Sequence, residues 1–261
     1  MNGMSQSISF DRAADYYDET RKLEPDIATA VTRAILGELR SAGADRVLEI
    51  GVGTGRISRP LMGEGIHITG VDISALMMRK LLNQLPSVHQ PPSLLLGDAT
   101  ALPFRDGAFP AVLAVHVLHL VSSPVEAIKE VRRVLESGGV FLHQTHRDNG
   151  SLDASADKFD ELLISRGHKM PTRSAFENAR DILEDCGGQK SVIEIATETK
   201  SAEPARILAD SRAQIHSWTW RVPEDVFEDC WPEYEAWFKG YYGDEPIHED
   251  IAYLLETWRW D

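Results

Sequence analysis

The alternation of apolar and polar stretches along the chain predicts a mixed α/β fold. Short apolar segments that read as buried strands recur with helical patterns between them, over residues 46–50, 66–71, 93–97, 110–116 and 139–145. Strands that alternate with helices pair in parallel through right-handed crossovers. The pattern therefore predicts a Rossmann-like, mostly parallel sheet with helices on both faces.

The flanking segments complete the predicted architecture. Residues 10–40 carry two amphipathic helical patterns joined near Pro25, and a polar stretch runs from residue 146 to about residue 170. The pattern then predicts a helix near 172–185, a strand near 190–199 and a last strand over 250–260. We expect the helical segment between these strands to be broken at its prolines, Pro204, Pro223, Pro232 and Pro246. The sheet would then have seven strands.

A glycine-rich turn follows the first predicted strand. Gly51, Gly53 and Gly55 stand between that strand and the next helical pattern. This order lets bare backbone approach a ligand and presents the amides of a helix N-terminus to it. The spacing is not that of a dinucleotide fingerprint, because Arg56 or Ser58 stands where the third glycine would be, and no lysine follows as a phosphate loop requires.

Two acidic residues lie at the carboxyl edge of the predicted sheet, beside the glycine turn. Asp72 ends the second strand, 21 residues after Gly51, and Asp98 with Ala99 follows the third strand. A carboxylate at the tip of the second strand can accept both hydroxyls of a ribose. Either acid alone could be a helix cap or a turn residue, but glycine turn, second-strand acid and third-strand acid in this order predict one ligand site.

With these motifs the chain resembles the class I S-adenosylmethionine-dependent methyltransferases, in the broad type 11 group that includes quinone-biosynthesis enzymes. The family's acid-x-G-x-G-x-G motif matches Glu49–Gly55, its ribose acid matches Asp72 and its adenine-side acid matches Asp98. Residues Glu130–Gly139 are similar to its E-x-x-R-V-L-x-P-G-G signature, with Ser137 where proline is usual.

The resemblance is specific over about residues 10–146 and implies the organisation of the rest. It implies one methyltransferase domain over residues 1–261, with an antiparallel C-terminal strand and a helical lid inserted before it. The expected parts are an N-terminal helical cap over 1–45, a cofactor-binding core over 46–146, and a C-terminal part over 147–261 whose insert, about 200–248, covers the substrate.

The resemblance also implies S-adenosyl-L-methionine as cofactor and a set of residues that hold it. Tyr16, Tyr17 or Arg21 would close over the methionine end, and the guanidinium of Arg21 suits the carboxylate. The expected cofactor-binding residues are Glu49, Gly51, Gly53, Asp72, Ile73, Met77, Asp98, Ala99, His116, Tyr16 and Arg21.

Tryptophans are concentrated near the C-terminus. All six lie at or after position 218, and Trp218 and Trp220 stand between two predicted helices. Large aromatics of this kind pack against a sheet or line a pocket, and a pocket with aromatic walls favours a planar or apolar acceptor. We take Trp218 and Trp220, together with His119, as candidates for the substrate pocket.

Four histidines lie near the ends of the fourth and fifth predicted strands. They form two H-x-x-H pairs, His116 with His119 and His143 with His146. Residues three apart on a strand point to opposite faces, so we expect no metal site. The catalytic residue stays open, with His116, His119 and His146 as weak candidates and core packing or hydrogen bonding as the default role.

Composition and charge exclude several classes of function. The net charge is −14, and no Lys/Arg cluster exceeds short pairs such as Arg132-Arg133, so a nucleic-acid substrate is not expected. No run of 18 apolar residues and no signal-like N-terminus occurs, so we expect no membrane insertion and a cytoplasmic location. Cys186 and Cys230 form no C-x-x-C pair.

The expected function is transfer of a methyl group from S-adenosylmethionine to a small molecule. Two alternatives remain: a protein that binds the cofactor in a regulatory or assembly role without methyl transfer, and a methyltransferase that acts on protein or RNA. The residues after the fourth strand read His116-Val117-Leu118-His119, which is not the N-P-P-[FYW] tetrapeptide of amide-binding enzymes. The acceptor, its attacking atom and the oligomeric state are left open by the sequence.

Overall fold

The computed structural model describes residues 7–85, 91–168, 183–185 and 187–260. Within these residues, seven strands form one sheet. They are β1 (Arg46–Ile50), β2 (His67–Asp72), β3 (Ser93–Leu96), β4 (Phe109–Val115), β5 (Leu135–Asp148), β6 (Gln189–Ala202) and β7 (Ile247–Arg259). The helices described are α1 (Tyr17–Thr20), α2 (Pro25–Ser41), α3 (Ser58–Gly63), α4 (Ala75–Gln84), α5 (Pro124–Val134), α6 (Asp153–Ser165), α7 (Pro204–Arg212) and α8 (Glu224–Tyr242).

The sheet has the strand order β3-β2-β1-β4-β5-β7-β6. The four pairings among β1 to β5 are parallel, with Ile50 aligned to both Val71 and Ala114, and Val115 aligned to Gln144. The predicted class, a Rossmann-like and mostly parallel α/β sheet, is confirmed. Its carboxyl edge carries the residues that the sequence singled out.

The C-terminal strand β7 runs against its neighbour β5. Nδ1 of His143 lies 3.0 Å from Oε2 of Glu256, and farther along β5 the side-chain amide of Asn149 donates to the carbonyl of His248 at 3.3 Å. Residue numbers therefore rise along β5 while those of their partners fall along β7. The expected antiparallel C-terminal strand is confirmed.

Helix α5 shows why these sequences form these elements. Its N-cap, Ser123, accepts a hydrogen bond from the backbone N–H of Glu126 at 3.3 Å, and Pro124 occupies the first turn, where its missing N–H is harmless. Its buried positions 127, 128, 131 and 134 recur at helical spacing and pack into the cluster that covers β1 and β4. A charge at Val131 would break this contact.

The described residues divide into two compact units. Residues 7–145, 183–196 and 253–260 form the first unit, and residues 146–168 and 197–252 form the second. The first unit contains the five parallel strands up to residue 145. The second has a core of its own, made largely of aromatic side chains from α6 and α8: Phe159, Phe227, Trp231, Tyr234 and Phe238.

The C-terminal half departs from the predicted elements in two places. The polar stretch expected between residues 146 and 170 contains helix α6, whose buried positions Phe159, Leu162 and Leu163 keep helical spacing among many polar residues. Pro232 does not break the chain, because it lies inside α8. An internal proline costs a helix about 3 kcal/mol or more, and burial of the aromatic face of α8 against α6 offsets it.

The remaining prolines are compatible with the prediction. Pro204 begins α7, Pro223 is the N-cap of α8, and Pro246 precedes β7. The helix expected near 172–185 falls outside the described residues except for 183–185, which are helical, and Cys186 also lies outside them. No described helix combines the length and the apolarity that crossing a bilayer requires.

Candidate active site

The glycines that follow β1 are required at their positions for different structural reasons. Gly51, Gly53 and Gly55 all adopt positive φ, at 71°, 53° and 74°. A Cβ on Gly51 would lie 2.5 Å from Cγ2 of Val117, so that glycine allows two segments to pack closely. A Cβ on Gly53 would meet nothing closer than the methyl carbon of Met77 at 3.6 Å. A side chain on Gly53 would therefore meet only ordinary contact, and it is the positive φ that requires glycine there.

Asp72 links the end of β2 to this turn. Its carboxylate accepts a hydrogen bond from the backbone N–H of Gly53 and another from that of Ser74, each at 2.8 Å. Burial raises the pKa of Asp72, and backbone hydrogen bonds from Ser74, Gly53 and Ile73 offset part of that rise. Because a carboxylate has about four lone-pair positions, Asp72 keeps capacity to accept a hydrogen bond from a ligand.

Glu49 is a buried carboxyl group beneath the turn. The hydroxyl of Ser58 donates to its Oε2, and only 2% of the residue is exposed. Burial raises the pKa of Glu49 to about 8, although the hydrogen bond from Ser58 and the charge of Arg56 act in the opposite direction. The group is therefore mainly protonated at neutral pH, and a cation bound nearby would favour its ionised form.

A narrow cleft opens at the carboxyl ends of β1 and β4. Its lining residues are Tyr17, Glu49, Gly51, Val52, Gly53, Thr54, Arg56, Ile57 and Val115. Tyr17, rather than its neighbour Tyr16, reaches the cleft. Arg56 donates to the backbone carbonyl of Arg21 at 3.0 Å, which joins the N-terminal segment to the glycine turn beside the cleft. Burial lowers the pKa of Arg21 and raises the pKa of Tyr17.

Asp98 stands after β3 at the far end of the same edge. Its Oδ1 accepts from the backbone N–H and the hydroxyl of Thr100, at 2.9 and 2.8 Å, and its Oδ2 accepts from the hydroxyl of Ser7 at 2.6 Å. Burial raises the pKa of Asp98, but these three hydrogen bonds outweigh it and leave the pKa below its usual value. The neighbouring Ala99 is buried in the core.

The N-terminal residues 7–21, which we call the strap, bond along this whole edge. Four contacts join strap residues to three loops: Ser7 to Asp98, Asp11 to Ser74, and both Asp18 to Thr54 and Arg21 to Arg56 in the glycine turn. The sequence pointed to the strap only through Tyr16, Tyr17 and Arg21. The roles of Ser7, Asp11 and Asp18 left no sequence signal, because each depends on a partner at least 36 residues away.

The histidines do not converge. His116 has a positive φ of 48°, and its backbone N–H donates to the carbonyl of Gln144 at 3.2 Å. His119 and His146 are exposed, whereas His143 is buried with its Nδ1 3.0 Å from Oε2 of Glu256. Residues 143 and 146 therefore face different environments. Among the described residues, no group of three histidine, cysteine or acidic side chains is arranged to hold a metal ion.

The two tryptophans proposed for the substrate pocket lie in the second unit. Trp218 packs edge-on against Phe159, with ring centroids 5.0 Å apart, and is 37% exposed. The indole N–H of Trp220 donates to the carbonyl of Gln214 at 2.7 Å. Both contacts hold the turn over residues 217–219, and the pocket role of these side chains stays a prediction.

Comparison with known sequences bears on the first unit. Residues 48–143 match the family model described as "Methyltransferase domain". The demethylmenaquinone methyltransferase of Renibacterium salmoninarum is 32% identical over 134 residues, which are 51% of this chain and 55% of that protein. The chain thus spans about half the length of the curated relatives that it matches.

Comparison with solved structures supports the fold. The YcgJ protein of Bacillus subtilis is 19% identical with a TM-score of 0.54, covering 85% of this chain and 95% of its own. The cyclase SpnF is 18% identical with a TM-score of 0.51, covering 99% of this chain and 98% of its own. The resemblance seen in the motifs is confirmed to this extent: residues 48–143 match the methyltransferase family model, and the solved structures share the fold.

Proposed function

We propose that this protein transfers a methyl group from S-adenosylmethionine to a small-molecule acceptor. One observation carries the proposal: the carboxylate of Asp72, at the tip of β2, is fixed by the N–H of Gly53 beside the glycine turn, the position from which it can accept from a ribose. A ribose on Asp72 directs the adenine toward Asp98 and the methionine end toward the cleft between β1 and β4. These are successive positions along one edge.

The groups around the cleft fit both charges of an amino-acid end. Glu49 would face its ammonium group, and the guanidinium groups of Arg21 and Arg56 would face its carboxylate. When bound, S-adenosylmethionine supplies a methyl group attached to a positively charged sulfur, which is a good leaving group. The chain therefore has no need of a nucleophile of its own.

The contribution of the protein would be orientation and exclusion of water. The strap covers the edge by four side-chain contacts, so it can hold the bound cofactor and keep solvent out. Correct placement of two reacting groups contributes roughly 7–11 kcal/mol to lowering a barrier. Val115 and Tyr17 line the place where an acceptor would meet the methyl group.

We also propose that the acceptor is a small molecule rather than a nucleic acid. A net charge of −14 disfavours a polyanionic substrate, and a relative such as the demethylmenaquinone methyltransferase acts on a small acceptor by its name. Trp218, Trp220 and His119 remain the proposed pocket residues. A cytoplasmic location accords with the low cysteine content, two in 261 residues, and with the unpaired, buried thiol of Cys230.

A labelled-methyl screen tests the proposed activity. The purified protein is incubated with S-adenosylmethionine carrying an isotopic methyl label and a bacterial metabolite extract, and products are detected by mass spectrometry. We expect a small molecule to gain one labelled methyl group, and Asp72→Ala to abolish that gain. Binding of the cofactor without any labelled product would favour the regulatory alternative, and label in protein or RNA would favour the macromolecular one.

A further inference from the structure

Gln144 carries an unpartnered carbonyl oxygen in the interior of the first unit. The residue is 1% exposed, and its Oε1 has no hydrogen-bond partner among the described residues. The orientation of the amide is fixed, because its Nε2 donates to the carbonyl of Thr145 at 2.8 Å. A buried acceptor without a donor costs on the order of 1–3 kcal/mol. Such a group calls for a ligand or a water molecule.

The register of the sheet places Gln144 in line with the cleft. Ile50 aligns with Ala114, and Val115 aligns with Gln144, so Gln144 on β5 lies beside Val115 of β4, which lines the cleft. Aligned residues of neighbouring strands point to the same face, and strands lie about 4.8 Å apart. The side chain of Gln144 is therefore next to Val115, roughly 10 Å across the sheet from the glycine turn.

The order of sites along the edge identifies what would occupy this position. If the proposed function holds, the adenine lies at β3, the ribose at β2 and the methionine end at β1. The next strands along the carboxyl edge, β4 and β5, are then left for the acceptor. We propose that Gln144 orients the acceptor by accepting a hydrogen bond from an O–H or N–H group on it. This deepens the proposed function and rests on it.

The chemistry of the amide limits the substrate class and the role. A neutral carboxamide oxygen accepts a hydrogen bond but is too weak a base to remove a proton, so Gln144 positions the acceptor and performs no proton transfer. The preferred acceptor carries a neutral donor, such as a phenolic hydroxyl or an amine. An acceptor with only ether or ketone oxygens would leave the amide unpaired and be disfavoured.

Thr257 provides a matched control. Its Oγ1 is also buried and unpartnered among the described residues. Glu256 contacts His143 on one face of the sheet, so Thr257 points to the other face, the face of Gln144. Because β7 runs antiparallel to β5, Thr257 lies toward Leu142 and away from the carboxyl edge.

The test compares two probe molecules of similar shape. Phenol carries a donor and toluene does not, and the affinity of each for the full-length protein saturated with S-adenosylhomocysteine is measured by ligand-observed NMR. We expect Gln144→Met to lower the phenol-to-toluene affinity ratio by about five- to tenfold, the value of one neutral hydrogen bond. We expect Thr257→Val to leave the ratio within about twofold of the wild-type value, since it removes no bond to phenol.

Three outcomes would overturn the assignment of Gln144. They are an unchanged ratio in a folded Gln144→Met protein, failure of both probes to bind the wild type, and an equal fall in Thr257→Val, which would indicate an ordered water shared by the two oxygens. Thermal unfolding confirms that each variant is folded. Failure of the proposed function is seen separately, as absence of S-adenosylhomocysteine binding or of labelled product with the wild-type protein.

Discussion

The two compact units differ in the kind of polar group that they bury. In the first unit, Glu49 and Asp72 are carboxyl groups with pKa values raised by burial, and Gln144 has an oxygen without a partner among the described residues. In the second unit, the hydroxyl of Tyr234 lies deep in the aromatic core but pairs with Ser155 at 2.6 Å. The hydroxyl inside the second core is therefore satisfied by its own unit, although the buried Oγ of Ser151 in that unit has no partner among the described residues. The first unit differs in burying two carboxyl groups at the carboxyl edge of its sheet.

This difference indicates where the chemistry of the molecule lies. Unsatisfied or desolvated groups are destabilising, so they are retained where a ligand completes them. In the first unit, the carboxyl groups of Glu49 and Asp72 lie at the carboxyl edge of the sheet, where His116 also has a positive φ. The second unit has the packing of a structural core, and its exposed aromatics, including Trp218, are the places where a substrate role remains to be tested.

The largest effect on stability is expected in the second core. Phe159 is fully buried and its ring contacts those of Trp218, Phe227 and Tyr234. Phe159→Ala should lower the free energy of unfolding by about 3–5 kcal/mol, because it removes apolar burial and leaves a cavity. Urea denaturation measures the loss. If the two units differ as described, the folded variant still binds S-adenosylhomocysteine; a folded variant that had lost this binding would show that the second core serves the ligand site.

The largest effect on binding is expected at Asp72. Asp72→Ala removes two charge-assisted hydrogen bonds to the ribose as well as the anchor of Gly53, so affinity for S-adenosylhomocysteine should weaken by about 2–4 kcal/mol, roughly 30- to 1,000-fold. Calorimetric titration measures this. Asp26→Ala, on the exposed face of α2, is the matched control and should bind normally. Wild-type affinity in Asp72→Ala would remove the main support for the assignment.

Smaller losses are expected for the histidines. Transfer of a methyl group from a sulfonium needs no proton transfer to the leaving sulfur, so His116→Ala, His119→Ala and His146→Ala should each lose less than about 100-fold in turnover, below the upper range for a general base. Initial rates with an acceptor from the labelled screen give the values. A loss of about 1,000-fold or more in one variant, with cofactor affinity intact, would instead identify that histidine as a base.

The smallest effect is a pH dependence from Glu49. Its pKa is raised to about 8 in the folded protein, and the ammonium group of the ligand favours the ionised form. Affinity for S-adenosylhomocysteine should therefore rise on the order of tenfold from about pH 6.5 to about pH 8. Glu49→Gln should flatten this rise in the same calorimetric series. A pH profile identical to that of the wild type would exclude Glu49 as its source.

The raised pKa of Glu49 also determines how the stability of the protein changes with pH. Because the folded protein keeps a proton on Glu49 that the unfolded chain releases, the stability that this proton contributes is fully present below the ordinary pKa of 4.5 and is lost as pH rises through about 8. Without ligand, the unfolding temperature of the wild type should thus fall between these two pH values by more than that of Glu49→Gln. A parallel course of the two proteins would contradict the raised pKa.

Much of the first unit could be predicted from local sequence motifs. The strand over residues 46–50 and the places of Asp72 and Asp98 at strand ends follow from short patterns in which neighbours along the chain determine the geometry. The contact between Asp18 and Thr54 could not be predicted in this way, since it depends on how the strap folds back over the sheet. Neither could the orphaned oxygen of Gln144, which is defined by the absence of a tertiary partner among the described residues.

Tertiary packing also explains the errors in the second unit. The apolar positions of α6 are separated by many charged residues, so the helical pattern is weak in the sequence. These positions are buried because the aromatic face of α8 packs against Phe159. At Pro232 the local preference predicts a break, but residues before and after it, including Phe227 and Phe238, are buried in the same core. Burial shared by both halves of α8 outweighs the local cost.

The most direct test of the central claim is a crystal structure of the wild-type protein with S-adenosylhomocysteine. We expect both ribose hydroxyls to lie within hydrogen-bond distance of the Asp72 carboxylate, with the adenine beside Asp98 and the amino-acid end in the cleft lined by Tyr17 and Glu49. A ligand bound elsewhere, or one whose ribose does not contact Asp72, would contradict it.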